Sequence, residues 1–270
     1  MGSFSVVNNI NSVNAQAKLY QTNVGLQQTL ARLSSGLRIN QSADDAAGLA
    51  VANKYRSDVA ILTVGVRNAN DGISRLQIVD GALNNISNLL DRAAVLASQS
   101  ASQGNAGLNR SVLNDEFASV MSEINREAAV ANLAGAATSF TIFVSSESTA
   151  SNGQVSIAYN QIDTTALALS ANSIDTPGNA QTAITALSAA ITTLGTVQGQ
   201  VGSAQNRLQF AISLAQSQVV NKTAAESRIR DANMAEESAN LTRYNILTQS
   251  GLASLAQANQ ASSSVLSLLR

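Results

Sequence analysis

Ser42–Gly72 reads SADDAAGLAVANKYRSDVAILTVGVRNANDG, and an apolar stripe that starts inside it decides the fold. The stripe is Val59, Leu62, Val66, Ala69, Ile73, Leu76, Val79, Leu83, Ile86, Leu90, Ala93 and Ala97. Its steps alternate three and four, with one doubled three between Leu76 and Val79. That period predicts one long helix from Ser42 to about Ala101 that seeks a partner helix along its length. At the α-helical rise it would be about 85–90 Å long. Ser42 is placed to cap its first turn, and Asp44 and Asp45 put negative charge where the helix dipole favours it.

The rest of the chain repeats this pattern on either side. From Ser3 to Leu33 a narrow stripe runs through Ile10, Val13, Ala17, Tyr20 and Val24, then Leu26, Leu30 and Leu33. Only Lys18 and Arg32 are charged there. A helix this polar is marginal alone and is expected to be ordered by a partner. Gly36 ends it, and SSGLRINQS connects it to the long helix. After a turn at Ser98–Gly107 a shorter helix carries Leu108, Val112, Phe117, Val120, Met121, Ile124, Ala128 and Val130, with the spacing of a segment folding back antiparallel. Thr138–Ile162 changes to period two: Phe140, Ile142 and Val144, then Val155, Ile157 and Tyr159, a β-hairpin pattern.

The residues up to Thr176 read as irregular, and Pro177-Gly178 opens the next helix. There the three–four period returns: Ile184, Leu187, Ile191, Leu194, Val197, Val201, Ala204, Leu208, Ile212, Ala215 and Val219. This is the natural partner of the first long helix. Gly195, Gly199 and Gly202 each weaken it by roughly 1 kcal/mol, tolerable if they allow close packing. A charged cluster at Ala225–Ser238 precedes a last striped segment with Leu241, Tyr244, Leu247, Leu252, Leu255, Ala258, Val265 and Leu269. The fold class read from these patterns is all-α, a long antiparallel coiled-coil-like rod built by both halves of the chain, with a small central β-hairpin.

Composition narrows the function. Aromatics are 3% and charged residues 12% of 270, so burial must come from helix length rather than core depth. Sixteen basic against 17 acidic side chains give no electrostatic case for nucleic acid or an anionic membrane. No stretch reads as a bilayer span, and the first residues lack a leader pattern. Histidine and cysteine are both absent, which removes disulfides, thiolate nucleophiles, histidine bases and the usual nitrogen or sulfur metal sites. Asp44 and Asp45, adjacent on a helix, point apart and suit a helix start rather than an acid/base pair. No cofactor is called for.

At LSSGLRINQSADDAAGLAVA (Leu33–Ala52), ESRIRDANMAEE (Glu226–Glu237) and LAQANQ…SVLSLLR (Leu255–Arg270) the chain resembles bacterial flagellin. The resemblance covers residues 1–134 and 179–270, leaving a short centre where many flagellins carry outer domains. Asn233 stands where the family commonly has aspartate.

The resemblance implies a non-enzymatic subunit that polymerises into the extracellular flagellar filament and gives motility. It implies unfolded passage through the type III export apparatus with an export chaperone, and contacts with filament cap and hook-junction proteins. Residues 1–42 and 236–270 would line the filament core, 43–134 and 178–235 would form the rod, and 135–177 would stand in place of the outer domains. Subunit contacts are expected at Ile10, Val13, Tyr20, Val24, Leu33, Arg38, Arg228, Arg230, Glu236, Leu241, Leu247, Leu255, Val265 and Leu269, with connecting spokes at Gly36–Ser42 and Arg228–Ser238. An innate immune receptor would meet Leu90, Arg92, Leu96 and Glu116, though Asp91, Ala94 and Val95 depart from the recognised pattern. Two alternatives are a hook–filament junction protein of the same helical plan and a metalloprotease-bearing flagellin; the latter needs histidines that this chain lacks.

Overall fold

The structure, a computed structural model, describes residues 9–102, 107–135, 138–145 and 153–268. Five helices and one hairpin follow in order: α1 (Ile10–Ser35), α2 (Ala46–Ala101), α3 (Gly107–Val130), β1 (Thr138–Phe143), β2 (Gln154–Tyr159), α4 (Pro177–Arg230) and α5 (Met234–Leu268). All-α with one small antiparallel sheet is thus the observed class. The chain gathers into two compact units, one of residues 1–57 with 221–270 and one of 58–220.

In the second unit the stripe of α2 is the core. Leu62, Ala69, Leu76, Val79, Leu83, Ile86, Leu90, Ala93 and Ala97 are buried. The doubled three survives because Leu76 and Val79 both remain inside. Helix α4 runs antiparallel to α2, since a Cβ on Gly72 would meet Leu208 and Gln198 donates to Asn84 at 3.4 Å. It buries Leu187, Leu194, Val197, Val201, Ala204, Leu208, Ile212 and Ala215. Ile191 is exposed instead, and Ala190 takes the inward position one residue earlier. Helix α3 folds back along α2 and buries Phe117, Met121, Ile124 and Ala128. Val112 and Val130 stand in solvent, because the narrow contact stripe leaves their positions off the seam. The Leu108 side chain lies outside the described residues.

Two helix starts are informative. Helix α2 begins at Ala46, and its cap is Asp45, whose Oδ1 accepts from the Gly48 N–H at 2.8 Å. Ser42 does not cap it, because the chain still turns through Asp44, whose Oδ2 accepts from the N–H groups of Asn40 and Gln41, both at 3.1 Å. Helix α4 opens with Pro177 itself, and Thr176 Oγ1 accepts from the Asn179 N–H at 3.2 Å.

The hairpin pairs Thr138 with Tyr159 through Phe143 with Gln154, as the period-two pattern requires. Ile142, Ile157 and Tyr159, with Val144 just beyond β1, face inward while Phe143 faces out. The turn expected at Ser145–Gly153 lies mostly outside the described residues.

What seats the hairpin is a groove of small residues on α2. A Cβ on Gly65 would come within 2.3 Å of the Val144 carbonyl oxygen, and one on Gly72 within 2.0 Å of Ile142 Cδ1. Gly195, Gly199 and Gly202 are different: an added Cβ would meet nothing within 4 Å. Among the described residues, therefore, no close packing offsets their cost to the helix.

The segment after the hairpin is irregular but not loose. Ile162, Leu167, Leu169 and Ile174 enter the core. Asn125 Oδ1 on α3 accepts from the Thr164 N–H and hydroxyl at 3.0 and 2.9 Å.

Candidate subunit interface

Helices α1 and α5 pair antiparallel within the first unit. The face of α1 toward α5 is Ser12, Ala15, Leu19, Thr22, Leu26, Thr29 and Leu33, spaced three and four. Asn9 caps α1 and also donates from Nδ2 to the Ala258 carbonyl at 2.9 Å, and Ser12 Oγ donates to Asn259 Oδ1 at 3.0 Å. Near the other end Arg32 Nη1 donates to Glu237 Oε1 at 3.3 Å, and Glu237 is only 8% exposed.

The sequence stripe divides: its first part, expected at contacts between subunits, points the other way, while Leu26 and Leu33 turn toward α5. Ile10, Val13, Tyr20 and Val24 are exposed, Tyr20 at 72%. With 100° per residue, Ile10, Val13, Ala17, Tyr20 and Val24 lie nearly opposite the α5-facing set. On the side that does meet α5, Leu19, Leu26 and Leu33 alternate with serine, alanine and threonine, whose small size lets the two backbones approach.

Helix α5 divides in the same manner. Leu241, Tyr244, Thr248, Gly251, Leu255 and Ala258 are half-buried toward α1. Leu247 and Leu252, counted on the same face from sequence, are exposed with Ile246, while Thr248 and Gly251 occupy the inward positions. The Val265 side chain and Leu269 lie outside the described residues.

The connections between helices are pinned by backbone bonds. Gly36 adopts φ 73° and its N–H reaches the Arg32 carbonyl at 2.8 Å. Arg38 N–H donates to the Arg230 carbonyl at 2.7 Å, Ala232 N–H to the Gly36 carbonyl at 2.9 Å, and Arg38 Nη2 to the Ile229 carbonyl at 2.8 Å. Leu37 and Asp231 thereby form an isolated antiparallel bridge. The second spoke is much shorter than Arg228–Ser238: α4 reaches Arg230 and α5 starts at Met234, so only Asp231–Asn233 connects them. Arg228 and Glu236 are exposed at the helix ends, and Arg230 lies 3.9 Å from Glu226.

Asp44 ties this region to α1. Its carboxyl is held below the ordinary aspartate value, first by the Gln41 and Asn40 N–H groups, then by Gln28 and the Arg32 charge. Gln28 Nε2 donates to Asp44 Oδ1 at 3.2 Å.

Of the four residues singled out for receptor recognition, Leu90 and Leu96 are buried in the core. Arg92 and Glu116 are exposed and pair with each other across α2 and α3. Among the described residues no group of three or more acidic, histidine or cysteine side chains gathers to hold a metal. One correction concerns membranes: α4 is long and apolar enough, by length and composition alone, to pass for a spanning helix. Its apolar positions instead supply the buried seam against α2.

Several contributors to the first unit escaped the sequence reading: Leu19, Gly25, Gly251 and the buried Ile39. The glycines belong to a seam whose signal is small size, which a search for apolar stripes passes over, and Leu19 lies off the stripe that Ile10, Val13, Ala17, Tyr20 and Val24 mark.

Comparison with known proteins agrees with this architecture. Residues 6–138 match the bacterial flagellin N-terminal helical region and residues 184–269 its C-terminal helical region. A flagellin of Halalkalibacterium halodurans is 39% identical over 249 residues, 90% of this chain and 92% of its own. The flagellar filament 33 kDa core protein of Treponema phagedenis is 38% identical over 283 residues, 97% of this chain and 98% of its own. The crystal structure of Bacillus cereus flagellin aligns with 59% of this chain and 94% of its own, at 29% identity and a TM-score of 0.48. With both helical regions matched and relatives alike over almost their whole length, the chain belongs to the bacterial flagellin family.

Proposed function

We propose that this flagellin assembles through the outer flanks of its α1–α5 pair. Family membership makes the chain a structural subunit of the extracellular flagellar filament and not an enzyme. The hook-junction alternative is not favoured, since the relatives are filament proteins. The observation that carries the finer reading is the exposed line Ile10, Val13, Tyr20 and Val24 on α1, with Ile246, Leu247 and Leu252 exposed on α5. Large apolar side chains lined up in water are stabilised when other copies cover them. A contact between two different flanks is heterologous, and builds an open helical polymer when its rotation does not close a ring.

This sorts the interface residues into three groups. Ile10, Val13, Tyr20, Val24 and Leu247 make contacts between copies. Leu33, Leu241 and Leu255 hold α1 to α5 within one copy, and Arg38, Arg228, Arg230 and Glu236 surround the connecting segments. Residues 1–42 and 236–270 then build the filament core, 43–134 and 178–235 the helical layer around it, and 135–177 its surface. Export through the type III apparatus with a chaperone, growth under a cap and attachment to junction proteins are the partners that family membership supports. For an innate receptor, Arg92 and Glu116 are the accessible contacts, and Leu90 and Leu96 act by shaping the helices beneath them.

The test is truncation. Chains lacking residues 1–33 or 241–270 remain helical by circular dichroism but stay in the supernatant on sedimentation. Filaments of ordinary length from either truncated chain contradict the proposal.

A further inference from the structure

We infer that Gly25 with Tyr244, and Leu19 with Gly251, form a two-point lock that fixes the register of α1 against α5 and so sets the two outer flanks level. The inference rests on the reading of those flanks as assembly surfaces. A Cβ on Gly25 would lie 2.7 Å from Tyr244 Cζ, so the tyrosine ring occupies the space a side chain would need. A Cβ on Gly251 would lie 3.1 Å from Leu19 Cδ1. Each helix thus gives one hole and one knob to the other. The remaining tie points agree with one antiparallel register: Arg32 meets Glu237 and Ser12 meets Asn259.

The need for a lock lies in the sequence of the seam. Glu237, Tyr244, Gly251 and Ala258 follow each other at intervals of one heptad. On the facing helix Leu19, Leu26 and Leu33 also recur at intervals of one heptad, with only the small Ser12, Ala15, Thr22 and Thr29 between them. A slide of seven residues would therefore leave the same faces together, as small heptad seams permit. Slid one way, Tyr244 meets Leu19, and Glu237 meets Gly25 without its arginine. Slid the other way, Ala258 meets Leu19 across a gap, and Gly251 faces Gly25 with nothing between them. Only the observed register fills both holes and pairs the buried carboxylate.

The chain has no cysteine, so introduced cysteines report the register without background. Filaments of full-length chain carrying Ser12→Cys and Asn259→Cys are oxidised and run on a denaturing gel under non-reducing conditions. The internally linked band is expected to dominate, while Ser12→Cys with Leu252→Cys, one heptad away, links at least tenfold less. Adding Gly25→Leu to the first pair is expected to cut its linked fraction at least fivefold, and adding Tyr244→Ala as well to restore it.

Equal linkage in both cysteine pairs overturns the lock, as does a Gly25→Leu chain that links as the parent does. Failure of Tyr244→Ala to restore linkage overturns it too. If Gly25→Leu blocks filament formation, the parent pair and the variant are both cross-linked as dilute chains, where the variant is again expected to link at least fivefold less. The result separates from the assembly reading, because loss of the outer flank by Tyr20→Ser should block sedimentation while the dilute variant links to the same extent as the dilute parent pair.

Discussion

Leu19 and Tyr20 are neighbours on α1 about 100° apart around the helix: Leu19 sits over Gly251 of α5, and Tyr20 points to solvent. One helix thus carries an inner face that closes the subunit and an outer face that the subunit alone leaves wet. The outer face has the larger side chains.

Tyr20→Ser should therefore act on assembly and not on the fold of one copy. Covering a large apolar side chain contributes about 1.5–3 kcal/mol. Loss of that contact at each copy raises the critical concentration for polymerisation by roughly ten- to a hundredfold. Sedimentation at graded concentration measures it, and circular dichroism of the dilute chain should be unchanged.

Glu237→Ala leaves Arg32 without its carboxylate at the base of the α1–α5 pair. The partner guanidinium is partly exposed, which tempers the penalty to about 2 kcal/mol. The loss should appear in denaturant titration as faster release of α1 and α5, with helices of the second unit unaffected.

Two kinds of glycine substitution should have opposite signs. Gly195→Ala meets open space and raises helix propensity, so the second unit gains about 1 kcal/mol and melts roughly 2–4 °C higher. Gly65→Ala drives a methyl against the Val144 carbonyl and should lower the melting temperature, because backbone must shift to admit it. Calorimetry of the two variants beside the parent checks both.

Asp44 gives the pH dependence. Its carboxyl lies below the ordinary aspartate value because Gln41 and Asn40 donate backbone N–H groups to it. A lowered folded-state value stabilises the fold above the unfolded value, about pH 4, and that contribution is lost as pH falls through the lowered one. Asp44→Asn should thus destabilise the chain at neutral pH, and its difference from the parent should shrink as pH falls below about 4. Thermal melts across that range measure the convergence.

The sequence made the long helices, the hairpin and the Gly36 helix end legible, since each rests on hydrophobic period or backbone demand. The orientation of α1 was not legible. Its bulkiest residues, Ile10, Val13, Tyr20 and Val24, mark a stripe, and in a self-contained protein that stripe would be the inner face. Here the inner face alternates Leu19, Leu26 and Leu33 with Ser12, Ala15, Thr22 and Thr29, and Gly25 admits the Tyr244 ring, so close backbone approach carries part of the contact. The same physics hid Thr248 and Gly251 behind Leu247 and Leu252. Ser42 misled because Asp44 bends the preceding chain, moving the cap to Asp45.

Amide exchange, read by mass spectrometry on the dilute chain and on its filaments, tests the central claim most directly. Helices α1 and α5 should exchange far faster in the dilute chain than in the filament, while Leu76–Ala97 and Phe117–Ala128 stay protected in both. Equal protection of α1 and α5 at high dilution would show that they need no other copies, and would contradict the account.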